Sequence, residues 1–73
     1  MGDSISVVIP VYNSENALFE LYKRLKNTLE NMKVEYEIIF VDDNSSDASY
    51  QKIVELNKND NRVKVIKLSW NFG

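Results

Sequence analysis

The spacing of hydrophobic residues changes several times along this chain, and each change predicts a new element. The run Ile5 to Val11 is rich in β-branched residues and apolar on both faces, which is typical of a strand buried in a parallel sheet. Pro10 has no amide hydrogen, so regular pairing should stop near it. Between Leu18 and Met32, apolar residues recur at steps of three and four, which predicts an amphipathic helix.

The second half of the chain repeats this order. Tyr36 to Val41 predicts a second strand, and Val63 to Leu68 predicts a third. Between them lies a helix whose buried face carries Tyr50, Ile53 and Val54. The result is a β-α-β-α-β order with crossovers long enough for parallel pairing. Right-handed crossovers give the strand order 3-2-1, so we expect an α/β fold with one parallel sheet.

Polar residues after the first and second strands are candidates to cap the two helices. Asn13 or Ser14 can cap the first helix, and Ser46 or Asp47 the second, because their side-chain oxygens accept hydrogen bonds from the first amide groups of a helix. Glu15 then falls in the first turn, where its charge favours the helix dipole.

Composition excludes several kinds of chemistry. A chain of 73 residues forms at most one small domain, which buries only about 60% of its unfolded surface. The net charge of −2 predicts no nucleic-acid partner. The absence of Cys and His excludes disulfides, the usual zinc ligands and Ser-His-Asp chemistry within the chain. No apolar run could span a membrane and no signal-peptide pattern is present, so we expect a cytoplasmic location.

Two adjacent carboxylates, Asp42 and Asp43, follow the apolar run of the second strand. Ligands of open α/β sheets bind outside the carboxyl ends of the strands. A buried unpaired charge is costly, so the pair is either solvated or committed to a ligand, a cation or hydrogen-bond donors. The structural alternative gives either residue a role in capping the turn and nothing more.

The first strand ends in a second group of polar side chains, which includes Tyr12, Asn13 and Ser14. The first two strands are neighbours in a 3-2-1 sheet, so these groups and both carboxylates should share one crevice. This set suits a nucleoside, because the ring can stack on a base and a carboxylate can accept from a base N–H or a ribose hydroxyl. The alternative for Tyr12 is a partly buried ring with its hydroxyl in water.

Three segments follow one another in an order that is characteristic of one enzyme family. They are Ser-Val-Val-Ile-Pro-Val-Tyr-Asn (6–13), Ile-Ile-Phe-Val-Asp-Asp-Asn-Ser-Ser-Asp (38–47) and Val-Lys-Val-Ile-Lys-Leu-Ser-Trp-Asn-Phe-Gly (63–73). Together they resemble family-2 inverting glycosyltransferases of the GT-A fold. The third segment is similar to the branch that transfers a sugar to a polyprenyl phosphate. The chain departs from the family pattern at Ser14, where relatives often have an acid, and at Trp70, where they usually have Arg.

The resemblance implies that residues 1–73 are the N-terminal, nucleotide-binding part of a Rossmann-like GT-A domain, ending before the family's Asp-x-Asp motif. It implies that Pro10, Tyr12, Asn13 and Asp43, with Asp42 beside them, bind the base and ribose of a UDP- or GDP-linked sugar. For the longer enzyme it implies Mg²⁺ or Mn²⁺, a polyprenyl phosphate acceptor and association with the cytoplasmic face of a membrane. No catalytic residue and no complete metal site would lie within this chain, so we expect the chain alone to be inactive.

Other classes of protein share parts of this pattern. A standalone, non-catalytic nucleotide-binding or regulatory module is compatible with the same residues. A receiver-like phosphoacceptor domain is disfavoured, because its acidic pair follows the first strand and its third strand is followed by Asp, whereas Leu68 is followed by Ser. A dinucleotide-binding domain is disfavoured because Gly-x-Gly-x-x-Gly is absent.

The first strand also predicts self-association. It lies at an edge of a 3-2-1 sheet, yet Ile5 to Ile9 has the apolar composition of a central strand. An exposed apolar edge is a template for pairing with another chain. We therefore expect a homodimer through antiparallel pairing of Ile5 to Ile9 about a two-fold axis.

Overall fold

A computed structural model describes residues 3–68, which form a three-stranded sheet and two helices. The elements are, in chain order, β1 (Ser4–Val11), α1 (Leu18–Asn31), β2 (Glu35–Asp43), α2 (Ser49–Asn59) and β3 (Val63–Leu68). The predicted α/β class and β-α-β-α-β order are confirmed. Residues 69–73, which belong to the third segment of the family resemblance, lie outside the described residues.

All three strands are parallel, and β2 is the central one. β1 pairs with β2 from Ser4 opposite Glu35 onward, and β3 pairs with β2 from Val63 opposite Ile38 onward. The observed order β1-β2-β3 is the predicted order 3-2-1 counted from the other edge. Pairing stops near Pro10, as predicted, since its last pair is Val11 opposite Asp42. An edge strand such as β1 tolerates a proline, because only one side of it must supply ladder hydrogen bonds.

One hydrophobic core joins both helices to one face of the sheet. Phe40 and Ile38 of β2 are fully buried at its centre. They alternate with residues that face the other side, as the two-residue period of a strand requires. The buried hydrophobic residues of this core are Val11, Leu18, Leu29, Tyr36, Ile38, Phe40, Ile53, Leu56 and Val63.

The other face of the sheet, which we call the open face, is not covered by any element of the described residues. Its apolar side chains are Val8, Pro10, Ile39, Val41, Ile66 and Leu68. Val8 is 60% exposed and Ile66 is 47% exposed. The prediction that β1 is buried on both faces is therefore wrong for the described part of the chain. Two successive right-handed crossovers that move in one direction across a sheet place both helices on the same side.

The predicted cap of α1 is also wrong. Its N-cap residue is Ala17, which has no side-chain oxygen, so Asn13 and Ser14 lie before the helix. Glu15 likewise precedes the first turn, where the acidic residue is Glu20. The amide and side-chain groups of residues 13–15 instead bond to residues that follow β2.

The N-cap of α2 is neither of its two predicted caps, Ser46 and Asp47. Ala48 occupies the N-cap position, and the carboxylate of Asp47 accepts a hydrogen bond from the amide of Ser49, the first helical residue, at 2.9 Å. Neither α1 nor α2 is long and apolar enough to cross a membrane.

Candidate functional site

The carboxyl ends of β1 and β2 lie side by side, since Val11 and Asp42 are register partners. Two loops continue from these ends. The first loop comprises residues 12–17 and the second loop comprises residues 44–48. The structure thus brings all five predicted site residues, Pro10, Tyr12, Asn13, Asp42 and Asp43, to one edge of the sheet.

Asn13 connects the two loops through both its backbone and its side chain. Its amide donates to Oγ of Ser45 at 3.1 Å, and its Oδ1 accepts from the amide of Ser46 at 2.8 Å and from the Ser46 hydroxyl at 3.3 Å. Asn13 and Asn44 both have left-handed backbones, with φ of 46° and 55°, a conformation that Asn adopts more readily than most residues. The Asn13 side-chain oxygen is therefore used within the protein, which leaves Nδ2 as the group that can face a ligand.

A second set of bonds joins the loops further from the strands. The amide of Glu15 donates to Oδ2 of Asp47 at 3.2 Å, and the Glu15 carboxylate accepts from the amide of Ala48 at 3.4 Å. The amide of Ser14 donates to Oγ of Ser49, a fully buried residue, at 2.7 Å. Each loop donates hydrogen bonds to the other and accepts hydrogen bonds from it. Neither loop can therefore move far without breaking these bonds.

The hydrogen bonds around Asp47 change the pKa of its carboxylate. Desolvation by itself would raise the pKa of Asp47. Hydrogen bonds from Ser49 and from the Glu15 amide outweigh that effect and lower the pKa of Asp47 below its usual value of 3.8. Asp47 is thus an ionised acceptor that holds the start of α2 against the first loop.

Asp42 and Asp43 have different surroundings because successive strand residues point to opposite faces. Asp42 points into the helix-covered side and is fully buried. Its Oδ1 accepts from the Ser45 hydroxyl at 2.6 Å and its Oδ2 accepts from the Ser45 amide at 3.2 Å. The Asp42 carboxylate therefore bonds to donors of the second loop and stabilises the turn after β2, which is the structural alternative to a role in ligand binding.

The other predicted site residues are more accessible. Tyr12 is 62% exposed, Pro10 is exposed on the open face, and Asp43 is half-buried. Tyr12 and Asp43 each lie one residue beyond the Val11–Asp42 pair, so an aromatic residue and an acidic residue lie at adjacent strand ends. An aromatic ring beside a carboxylate is suited to bind a heterocycle that carries N–H or hydroxyl donors.

Sequence reasoning missed Ser45 and Ser49, which bond to the first loop. One local signal for Ser45 is its position three residues after Asp42, a spacing at which a carboxylate commonly accepts from nearby backbone and hydroxyl donors. No local signal marks Ser49, because its partner Ser14 is 35 positions away. Among residues 3–68, no group of three or more acidic side chains is placed to hold a metal ion.

The sequence of this chain is similar to those of known proteins. A family model described as "Glycosyl transferase family 2" matches residues 6–73. The chain is 46% identical over 68 residues to an uncharacterized glycosyltransferase of Bacillus subtilis, a match that covers 93% of this chain and 21% of the relative. It is 39% identical over 73 residues to an uncharacterized glycosyltransferase of Synechocystis, covering 100% of this chain and 23% of the relative.

A third relative has a more specific name. It is the undecaprenyl-phosphate 4-deoxy-4-formamido-L-arabinose transferase of Proteus mirabilis, 44% identical over 72 residues, which are 97% of this chain and 22% of the relative. The chain therefore spans about a fifth of the length of the relatives that it matches.

Proposed function

The chain belongs to glycosyl transferase family 2, and from this premise we propose that it is the N-terminal part of a glycosyltransferase that binds the nucleotide of a nucleotide-diphosphate sugar. The observation that supports this proposal is the convergence of Tyr12 and Asp43 at the adjacent carboxyl ends of β1 and β2. The crevice outside such ends is where open α/β sheets bind their ligands.

Each accessible residue has a role that fits its chemistry. The Tyr12 ring packs against the base, and Asp43 accepts a hydrogen bond from a base N–H or a ribose hydroxyl. Asn13 donates through Nδ2, since its oxygen is bonded to Ser46. Pro10, exposed beside them, adds an apolar wall that loses little conformational entropy when it is covered.

The sugar acceptor that we propose is a polyprenyl phosphate. The name of the Proteus mirabilis relative contains undecaprenyl phosphate, and that relative is 44% identical to this chain. A polyprenyl chain is apolar and stays within a bilayer, so we propose that the transfer takes place at the cytoplasmic face of a membrane.

We also propose that Mg²⁺ or Mn²⁺ assists the longer enzyme by binding the diphosphate. The described residues do not provide a set of oxygen ligands for such an ion, because no three acidic groups converge. The binding of base and ribose by Pro10, Tyr12, Asn13 and Asp43 should therefore not depend on the metal.

Titration of the folded chain with UDP, GDP and CMP, with and without Mn²⁺, tests the proposal by calorimetry or NMR. We expect weak binding that is insensitive to Mn²⁺. Asp43→Asn keeps the shape of the side chain but removes a charged acceptor, at a cost of about 1.5–3 kcal/mol, and Tyr12→Ala removes the ring. Glu37→Gln is the matched control, since Glu37 lies on the same strand and face but bonds to Ser6 instead. Unchanged binding of UDP and GDP by Asp43→Asn and Tyr12→Ala would show that the site is wrongly assigned.

A further inference from the structure

The buried carboxylate of Asp42 connects to the first loop through a single hydroxyl group. Ser45 Oγ donates to Asp42 Oδ1 at 2.6 Å and accepts from the Asn13 amide at 3.1 Å. The Asn13 amide can only donate, so the Ser45 oxygen accepts from it, and the single proton of the Ser45 hydroxyl is donated to Asp42 Oδ1. The direction of both bonds is therefore fixed, and the Ser45 oxygen must act as the acceptor for Asn13.

We propose that Asp42 is a positioning residue, which acts through Ser45 to hold the first loop in the conformation that presents Tyr12 and Asn13 to the nucleotide. This role rests on the function proposed above, and it differs from that of Asp43, which would contact the ligand. Asp42 is 0% exposed, and within residues 3–68 its hydrogen bonds connect it to the first loop through Ser45, whereas Asp43 lies on the opposite face of β2.

The backbone of Asn13 shows why this loop needs such support. Its φ of 46° lies in the left-handed region, which costs free energy for any residue other than Gly. Three hydrogen bonds to the second loop retain that conformation: the Asn13 amide donates to Ser45, and the amide and hydroxyl of Ser46 donate to Asn13 Oδ1. Tyr12 directly precedes this turn, so the turn sets the position of the Tyr12 backbone before any ligand arrives. A site that is ordered before binding loses less entropy when the ligand binds.

Ser45→Ala tests the proposal, because it removes the hydroxyl while Asp42 keeps its hydrogen bond from the residue 45 amide. We expect faster hydrogen exchange of the Asn13 amide and about tenfold weaker binding of UDP and GDP, which is the effect of about 1.4 kcal/mol. The Ser14 amide, which donates to Ser49, is the internal reference and should keep its exchange rate. Ser45→Thr retains the hydroxyl and should restore both properties.

Ser6→Ala is the matched serine control, because it removes a hydroxyl bonded to Glu37 on the open face and should change neither property. A Ser45→Ala chain that binds UDP and GDP as tightly as the parent refutes the positioning role while the proposed function stands. The same conclusion follows if the Asn13 amide stays protected in that variant, or if Ser45→Thr fails to restore binding. A parent chain that binds no nucleotide refutes the proposed function and the positioning role together.

Discussion

Tyr22 and Asp60 form a hydrogen bond whose loss should be visible as an alkaline loss of stability. The Tyr22 hydroxyl donates to Oδ2 of Asp60 at 2.5 Å, and the Lys26 ammonium lies 3.7 Å from the same oxygen. The Asp60 side chain is only 13% exposed. Burial, the hydrogen bond to Asp60 and the negative charges of Asp60 and Glu30 raise the pKa of Tyr22 from 10.0 to about 12.

Because the pKa of Tyr22 is raised in the folded state, deprotonation of Tyr22 destabilises the fold. The folded state holds the phenol proton more tightly than the unfolded state, so the stabilisation is fully present below about pH 10 and is lost as the pH rises towards 12. Two pKa units correspond to about 2.7 kcal/mol. The Tyr22 ring is only partly buried and solvent screens its interactions, so we expect a loss of about 1 kcal/mol.

Urea unfolding of the parent and of Tyr22→Phe, from about pH 8 to about pH 12, measures this loss. The subtraction removes the titration of lysines and of the other tyrosines, which both chains share. We expect the parent to be more stable below pH 10 and the difference to shrink by about 1 kcal/mol across the range. A difference that stays constant with pH, or that grows as the pH rises, would refute the reasoning.

Three further predictions concern activity, association and acid stability. In a chromatographic assay, the purified chain should release no UDP or GDP from any nucleotide sugar. The reason is that the family resemblance implies a general base outside residues 1–73. Turnover by a preparation free of host enzymes would contradict this prediction. Sedimentation at several concentrations should detect a homodimer through the exposed edge of β1 that Val8→Lys dissociates. Met32→Lys, at a 51% exposed position after α1, should not dissociate it, and a monomer at high micromolar concentration would rule out the interface. The stability of Asp47→Asn, measured by circular dichroism, should fall less steeply in acid than that of the parent. The pKa of Asp47 is lower in the folded state than its usual value of 3.8, so the ionised carboxylate stabilises the fold above pH 3.8. That stabilisation is lost as the pH falls through the folded-state pKa.

The elements and their order could be predicted because each depends on a local pattern. The spacing of Leu18, Leu25 and Leu29 indicated the helix, and the β-branched runs indicated the strands. The exposure of residues within these elements was less predictable. Leu21 and Met32 belong to the apolar pattern of the first helix, yet they are 41% and 51% exposed. The pattern identifies an apolar stripe, but the position of α1 over the sheet decides how much of the stripe is covered.

The candidate site could also be predicted only in part from the sequence. The sequence indicated that polar groups after β1 and β2 converge, because sheet topology alone determines that. It could not distinguish the role of Asp42 from that of Asp43, since this depends on which face of β2 the helices cover. The bonds of Asn13, Ser14 and Glu15 to the second loop and to the start of α2 span 32 to 35 positions, so no local rule predicts them. The expected helix caps were wrong for this reason.

The parallel register of the sheet also has a kinetic consequence. Ser6 bonds to Glu37 across β1 and β2, 31 positions along the chain, so no strand pair can begin as a local hairpin. Each strand pair must first close a long loop. The conformational entropy lost in closing it is not compensated until contacts within the sheet form. Formation of α1 shortens this loop and brings the strands within reach of each other. Alanine at Asn27, an exposed interior position of α1, should therefore accelerate refolding through helix propensity alone, although Asn27 is far from both strands in sequence.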